Sequence, residues 1–397
     1  MQWKLQSWIA ATAILGVVLQ LSFLSSANAA WTEVQQIPGG SGDGLGNEVS
    51  MDGNTMFVGA QSGNQVFVYE NQGGTWNETQ VLTPSDSGSK FGKSLDVTGD
   101  RAIIADPGSG QVYVFDKTGG TWSETQILTG TGSGFLLSAA IDGDRAIVGA
   151  PFANGNQGAV VVFDNSGGTW SQSASVPSPI GAVQYWGYDV AFDGGNTFFA
   201  GAPFDSGPAG SVSVMQNVLG TWSESQRFDG NKNYGEYGRS IAYDNDTLVV
   251  GATREDNTGG TRTGRVHVYD RTGGNFSLTQ TLEASVVADP LDFGRNVAID
   301  GDVIAVGDEF DGTVGRAYIF ENQGGTWTEV AALPPSGATV LHQPIAVAGN
   351  WVAVSSNGEN GGDGRVTLFN IPEPSTLVLV ILGVFAVAGR CRTRGTD

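Results

Sequence analysis

Every 45 to 54 residues the chain returns to a glycine-rich turn followed by an aromatic residue. A period of that size leaves room for one supersecondary unit per repeat and excludes an ordinary multidomain enzyme. Gly-Gly-Thr-Trp ends at Trp76, Trp122, Trp170 and Trp327. Degenerate copies are Leu219-Gly220-Thr221-Trp222 and Gly273-Gly274-Asn275-Phe276, and a lone Trp31 precedes Trp76 by 45 residues. Between these markers each repeat resolves into four short apolar strands. In the third copy they are 138–141, 145–150, 159–163 and 169–176, with Asp142-Gly143-Asp144 as the first tight turn. Asp-Gly suits a type I′ hairpin, whose positive φ angles glycine adopts at no steric cost. Related turns occur at Gly53, Gly99, Gly194, Asn245, Gly301 and Gly349.

The third-strand pattern occurs seven times, from 66–69 to 366–369. The seventh copy stops at Asn370, before any fourth strand, and the missing strand stands at the other end of the body, at 31–37. The expected fold is all-β: a seven-bladed β-propeller of four-stranded antiparallel blades, the last closed by the N-terminal strand. An open solenoid has no use for the displaced strand. Composition agrees, with 60 glycines in 397 residues and only 15% charged residues, against roughly 25% in soluble domains.

Nineteen basic residues face 40 acidic ones, a formal charge of −21. Phosphate neutralisation needs clustered Lys and Arg, so nucleic acid is not an expected partner. The single cysteine, Cys391, lies near the C-terminus, which leaves the body without disulfides or thiolate chemistry.

The two ends read as targeting segments. Residues 1–30 carry Lys4, an apolar run and the small-residue pattern Ala27-Asn28-Ala29, expected of a cleaved secretory signal. At the other end, in 371–397, Pro372-Glu373-Pro374 precedes an uncharged stretch at 376–389 and then Arg390, Arg392 and Arg394. Fourteen residues span about 21 Å as a helix, short for a hydrocarbon core of about 30 Å. This tail resembles the PEP-CTERM sorting signal of Gram-negative bacteria that make exopolysaccharide. The resemblance implies an exosortase-type protease as partner, a membrane-tethered intermediate, and delivery to the cell surface or extracellular matrix.

Within the body, Phe91-Gly92 and Phe293-Gly294 begin first strands, with Trp186-Gly187, Tyr237-Gly238 and Leu45-Gly46 as variants. Gly149-Ala150-Pro151 and Gly201-Ala202-Pro203 end second strands. These resemble FG-GAP repeats, the units of integrin α-subunit propellers and of many bacterial surface proteins, over residues 31–370. The resemblance implies calcium-binding hairpins, but here the turns shrink to Asp-Gly-Asp. That is too few oxygens for an ion wanting six to eight, so Asp142 and Asp144 read as turn residues.

Loop lengths vary between second and third strands and between blades, and all these loops emerge on one face, the expected binding face. It carries Tyr185, Trp186, Lys232, Tyr234, Tyr237, Arg254, Arg262 and Arg265. Aromatic rings with bidentate guanidinium donors suit a sugar polymer bearing carboxylate or sulfate. Trp186 and Tyr237 have a second reading, since they occupy the core position of Phe91 and Phe293. Asp308, Glu309 and Asp311 are the candidate Ca²⁺ ligands, with a solvated acidic loop as the alternative for them and for Asp289 and Asp292.

Catalytic motifs are sparse. The segment from Asp116 to Trp122 resembles the Asp box of sialidase propellers with one residue too many, and such boxes are structural turns. His267 and His342 have no visible partner. The sequence therefore points to a non-enzymatic propeller binding a glycan or protein in the envelope or exopolysaccharide matrix. A polysaccharide hydrolase or lyase, with carboxylates meeting in the channel, is the alternative.

Overall fold

The computed structural model describes residues 30–371, less short loops at 87–88, 131–137, 182–183, 206–208, 232–234, 287–291, 309–314, 335–343 and 357–361. The secretory and sorting segments, with Ala27, Ala29 and Pro372, Glu373 and Pro374, lie outside the described residues. Among the described residues no helix is long and apolar enough to cross a membrane.

The strands, β1 to β28 in chain order, form seven four-stranded antiparallel sheets. Blade 1 contains β2 (Leu45–Asp52), β3 (Thr55–Ala60), β4 (Gln65–Gln72) and β5 (Thr75–Leu82). Blades 2 to 6 repeat that order over 94–129, 138–177, 190–229, 237–282 and 296–333. Blade 7 joins β26 (Ile345–Ala348), β27 (Trp351–Ser356) and β28 (Arg365–Asn370) to β1 (Thr32–Pro38). The seven-bladed ring closed by the N-terminal strand is thus as the repeat count required.

Three layers of contact hold neighbouring blades, and each accounts for part of the repeated sequence. The first is backbone against backbone. The glycine ending one blade's second strand lies under the carbonyl of the glycine beginning the next blade. A Cβ on Gly59 would stand 2.1 Å from the Gly92 oxygen, on Gly149 2.1 Å from Gly187, and on Gly201 2.0 Å from Gly238. The receiving glycines take φ between +81° and +85°, a region L side chains rarely adopt. Both halves of the Phe-Gly and Gly-Ala-Pro pattern therefore follow from one close approach. Two blades depart from glycine there: blade 2 has Ala105, and blade 7 has Ser355, whose Oγ donates to the Gly46 carbonyl at 2.9 Å.

The second layer is apolar. Trp76, Trp122, Trp170 and Trp327 are buried, and several repeat aromatics meet the preceding blade edge-on. Phe57 and Trp122 are 4.9 Å apart, Trp76 and Trp351 5.6 Å, and Phe199 and Phe276 5.2 Å. Each fully buried aromatic contributes about 2 kcal/mol from area alone. Above these rings, Arg101 covers Trp170 and Arg145 covers Trp222 from the preceding blade.

The third layer is an outer clamp at five of the seams, made by the glutamine four residues after the repeat aromatic, where Ala174 and Ala331 stand in the other two blades. Gln80 Nε2 donates to the Trp122 carbonyl at 2.7 Å, and the Trp122 amide donates back to Gln80 Oε1 at 2.9 Å. The same two-bond pairing joins Gln35 to Trp76, Gln126 to Trp170, Gln226 to Phe276 and Gln280 to Trp327. A β-bulge just before the glutamine re-aims the outer strand, as in the register shift between Val68 and Tyr69. Thr79, Thr125, Ser225 and Thr279, one residue before four of these glutamines, cap the carbonyl that the bulge frees on the third strand.

The two kinds of joint differ in tolerance. Gln126→Ala loses two part-buried hydrogen bonds and is expected to cost about 1–2 kcal/mol. Gly201→Ala drives a methyl into backbone that cannot move aside, and is expected to cost more than about 3 kcal/mol or to prevent folding. Urea midpoints compare them. A wild-type midpoint for Gly201→Ala contradicts the role of the glycine contact in closing the ring.

Candidate functional site

Because strands alternate in direction, every first strand enters from the face bearing the variable loops and leaves at the Asp-Gly turns. The seven first strands line a central channel whose cavity is about 430 Å³. Its far mouth is ringed by Asp52, Asp142, Asp193, Asp244 and Asp300. Several of these have a backbone partner: the Gly301 amide donates to Asp244 at 2.7 Å and the Gly349 amide to Asp300 at 2.6 Å.

Inside the channel, two aspartates join three consecutive blades each. Asp96 accepts from Ser50 Oγ at 3.1 Å and the Ile141 amide at 2.8 Å. Asp189 accepts from Ser138 Oγ at 2.7 Å and the Ile241 amide at 2.7 Å. Burial raises both carboxyls to about 6, against the opposing pull of those hydrogen bonds. Glu48 differs. Part of its surface opens onto the channel, yet protein encloses it, and the hydrogen bond found for it is a 3.3 Å contact from the amide of the next residue, Val49. Burial pushes its carboxyl up to about 8, Lys93 works against the rise, and the Asp189 and Asp96 charges add to it. Glu48 is therefore mainly protonated at pH 7.

On the variable-loop face four half-buried rings run in sequence. Phe152 and Tyr185 are 5.5 Å apart, Tyr185 and Phe204 5.6 Å, and Phe204 and Tyr188 6.1 Å. The Arg239 guanidinium then lies 5.3 Å from the centre of Tyr188. Arg239 pairs with Glu236 at 3.0 Å, and Glu236 also holds Arg254 at 3.0 Å and Thr253 Oγ1 at 3.1 Å. Tyr185 and Glu236 occupy equivalent positions just before the Trp-Gly and Tyr-Gly pairs, and both have left-handed backbone, φ 58° and 49°. Blade 1 has Gly44 there, at φ 63°. Two side-chain-bearing residues in a glycine conformation carry a local cost, and such costs cluster at ligand sites.

The expected face is thus only partly a surface. Trp186 and Tyr237 belong to the core instead. They are 0% and 2% exposed, Trp186 Nε1 donates to Ser213 Oγ at 3.1 Å, and the Tyr237 and Tyr269 hydroxyls are 2.6 Å apart. Arg265 is held by Glu283 at 2.6 Å and Glu255 at 3.6 Å, closing its own loop rather than presenting a donor. Tyr185, Arg254 and Arg262 do reach the surface. Lys232 and Tyr234 lie outside the described residues. Phe152 and Phe204 escaped the sequence reading, although each directly follows a Gly-Ala-Pro.

Asp308 is 1% exposed and accepts the Arg316 amide across its loop, and burial raises its carboxyl to about 6. Asp106 does the same work in blade 2, accepting the amides of Ser89, Lys90 and Gly108. Glu309, Asp311 and Asp289 lie outside the described residues. Among the described residues no group of three or more His, Cys, Asp or Glu is placed to hold a metal ion. His267 has a partner the sequence did not reveal: Nε2 lies 2.7 Å from Glu255. Both are buried beneath the blade 5 loop, away from the channel. His342 lies outside the described residues.

Residues 229–269 and 276–320 match the family model described as FG-GAP repeat. No curated protein sequence matches the chain. Among solved structures, a chain of the mitotic checkpoint complex is similar at 13% identity and a TM-score of 0.59, covering 86% of this chain and 92% of that one. Sqt1 of Saccharomyces cerevisiae is similar at 12% identity and a TM-score of 0.54, covering 86% and 99%. At these identities the likeness is one of fold alone.

The state of Glu48 has a measurable consequence. Its folded-state value lies above its unfolded one, so its contribution is fully present below about 4.5 and is lost as pH rises through about 8. Melting temperature is expected to fall over that window. Glu48→Gln is expected to flatten the decline and to raise the melting temperature at pH 8.5; an unchanged profile contradicts the assignment.

Proposed function

We propose that this chain is an exported, surface-sorted, non-enzymatic propeller whose variable-loop face binds a glycan in the bacterial envelope or exopolysaccharide matrix. The ledge Phe152–Tyr185–Phe204–Tyr188, ending at Arg239, carries this reading. A pyranose offers an apolar C–H face and a polar rim. Half-buried rings beside fixed guanidinium groups match both, as binding sites with mainly aromatic walls and few polar anchors commonly do. A protein partner is the alternative occupant. The left-handed backbone of Tyr185 and Glu236 supports a face held in shape before its ligand arrives.

Glu48 favours a second reading, a polysaccharide hydrolase or lyase, because a carboxyl protonated at neutral pH suits general-acid work. Against it, Asp96 and Asp189 commit their oxygens to neighbouring blades, so neither stands ready as the second carboxylate. A glycan array read beside a reducing-sugar assay separates the two. Retained glycan without soluble product is expected, and Tyr185→Ala is expected to weaken retention about tenfold. Release of reducing ends overturns the binding reading.

Export and sorting rest on the terminal segments. Replacing Pro372, Glu373 and Pro374 with alanine is expected to block tail processing and leave export intact. The check is the mass of the mature C-terminus in a host with an exosortase-type protease. A wild-type chain that keeps Arg390, Arg392 and Arg394 there contradicts the sorting proposal.

A further inference from the structure

The channel mouth on the variable-loop side holds two cations besides the one that ends the ledge. Lys93, Arg239 and Arg295 come from blades 2, 5 and 6 and line one cavity with Asn47, Glu48 and Tyr188. All three cations stand directly after the aromatic-Gly pair that begins their blades, so the repeat itself sets them in one ring. In a chain of net charge −21, three cations share one register position at the mouth, while the acids of the same channel, Asp96 and Asp189, spend their oxygens on neighbouring blades. Arg239 is aligned by Glu236 and Arg295 by Asp292 at 3.7 Å. Lys93 has neither an ion pair nor a side-chain hydrogen bond among the described residues, and Glu48, whose charge it feels across the cavity, is the acid that burial holds protonated. An ammonium beside an uncharged carboxyl leaves donors without an anion.

Shape narrows the occupant. The cavity is in the lower part of the roughly 300–1,000 Å³ range of small-molecule sites, and inner strands wall it on all sides. A polymer cannot lie across it and must enter by an end. Tyr188 and Arg239 belong both to this mouth and to the ledge, so the two are continuous. We propose that the channel mouth is an anion subsite that takes the carboxylate or sulfate of the terminal residue of a glycan whose following residues lie on the ledge. The proposal rests on the glycan reading above and adds the charge and polarity of the ligand's end.

Titration of the full propeller with glucuronate, glucose 6-sulfate, glucose and acetate, followed by calorimetry, tests it. One or both acidic sugars are expected to bind at least tenfold more tightly than glucose or acetate, the stronger naming the anion. Lys93→Met is expected to abolish that preference, while Lys90→Met, which removes an exposed lysine of the adjoining loop, leaves it intact. Arg295→Gln provides a second variant should Lys93→Met melt early. Equal binding of glucose and glucuronate, or wild-type affinity in a stably folded Lys93→Met, overturns the subsite. If neutral oligosaccharides bind while glucuronate does not, the subsite falls and the glycan reading stands. If acetate binds as well as glucuronate and no oligosaccharide binds more tightly, both fall.

Discussion

Seven sheets form a ring here because backbone can touch backbone at the seams. Where Gly59 meets Gly92, or Gly201 meets Gly238, a carbonyl sits where a side chain would otherwise begin. That contact sets how far one blade tucks beneath the next. The aromatic edge contacts and the glutamine clamps then act at larger radius on a spacing already determined. Loss of a single methylene of clearance at the seam would be felt farther out, since protein interiors are close-packed and transmit such shifts.

The inner and outer girdles divide the remaining work by dielectric. At the rim, a glutamine amide pairs with a main-chain amide, neutral with neutral, where water competes weakly at modest cost. In the channel the same linking is done by carboxylates. Asp96 and Asp189 accept hydroxyl and backbone donors from blades on either side, and burial charges a penalty for their ionisation that those donors offset. Glu48 lacks such compensation and stays protonated. A channel that holds both kinds of acid has polarity that varies along its length, from the cationic mouth to the aspartate ring.

Architecture was legible in the sequence because periodicity reports it directly. The turn glycines, the tryptophans of the Gly-Thr-Trp markers and the displaced first strand had one consistent place. Trp186 and Tyr237 were ambiguous since an aromatic residue before glycine serves a seam and a surface equally well, and only their enclosure by Ser213 and Tyr269 decides between them. The ledge was half visible: Tyr185 stood out, whereas Phe152 and Phe204 looked like ordinary loop residues until blades 3 and 4 were side by side. The channel charges were hidden for a geometric reason. Lys93, Arg239 and Arg295 are scattered over two hundred residues of sequence, and converge only when the ring closes.

Closure by β1 also has a temporal side. The amide of Gly42 bonds the Asp363 carboxylate across 321 residues of chain, among the most distant pairings this fold contains. Contacts of such separation pay loop-closure entropy before they return anything. The first strand of the propeller to be synthesised is therefore the last to find its neighbour. Until β1 docks, β28 presents an unpaired strand edge, the feature by which a β-protein is most exposed to pairing with the wrong chain.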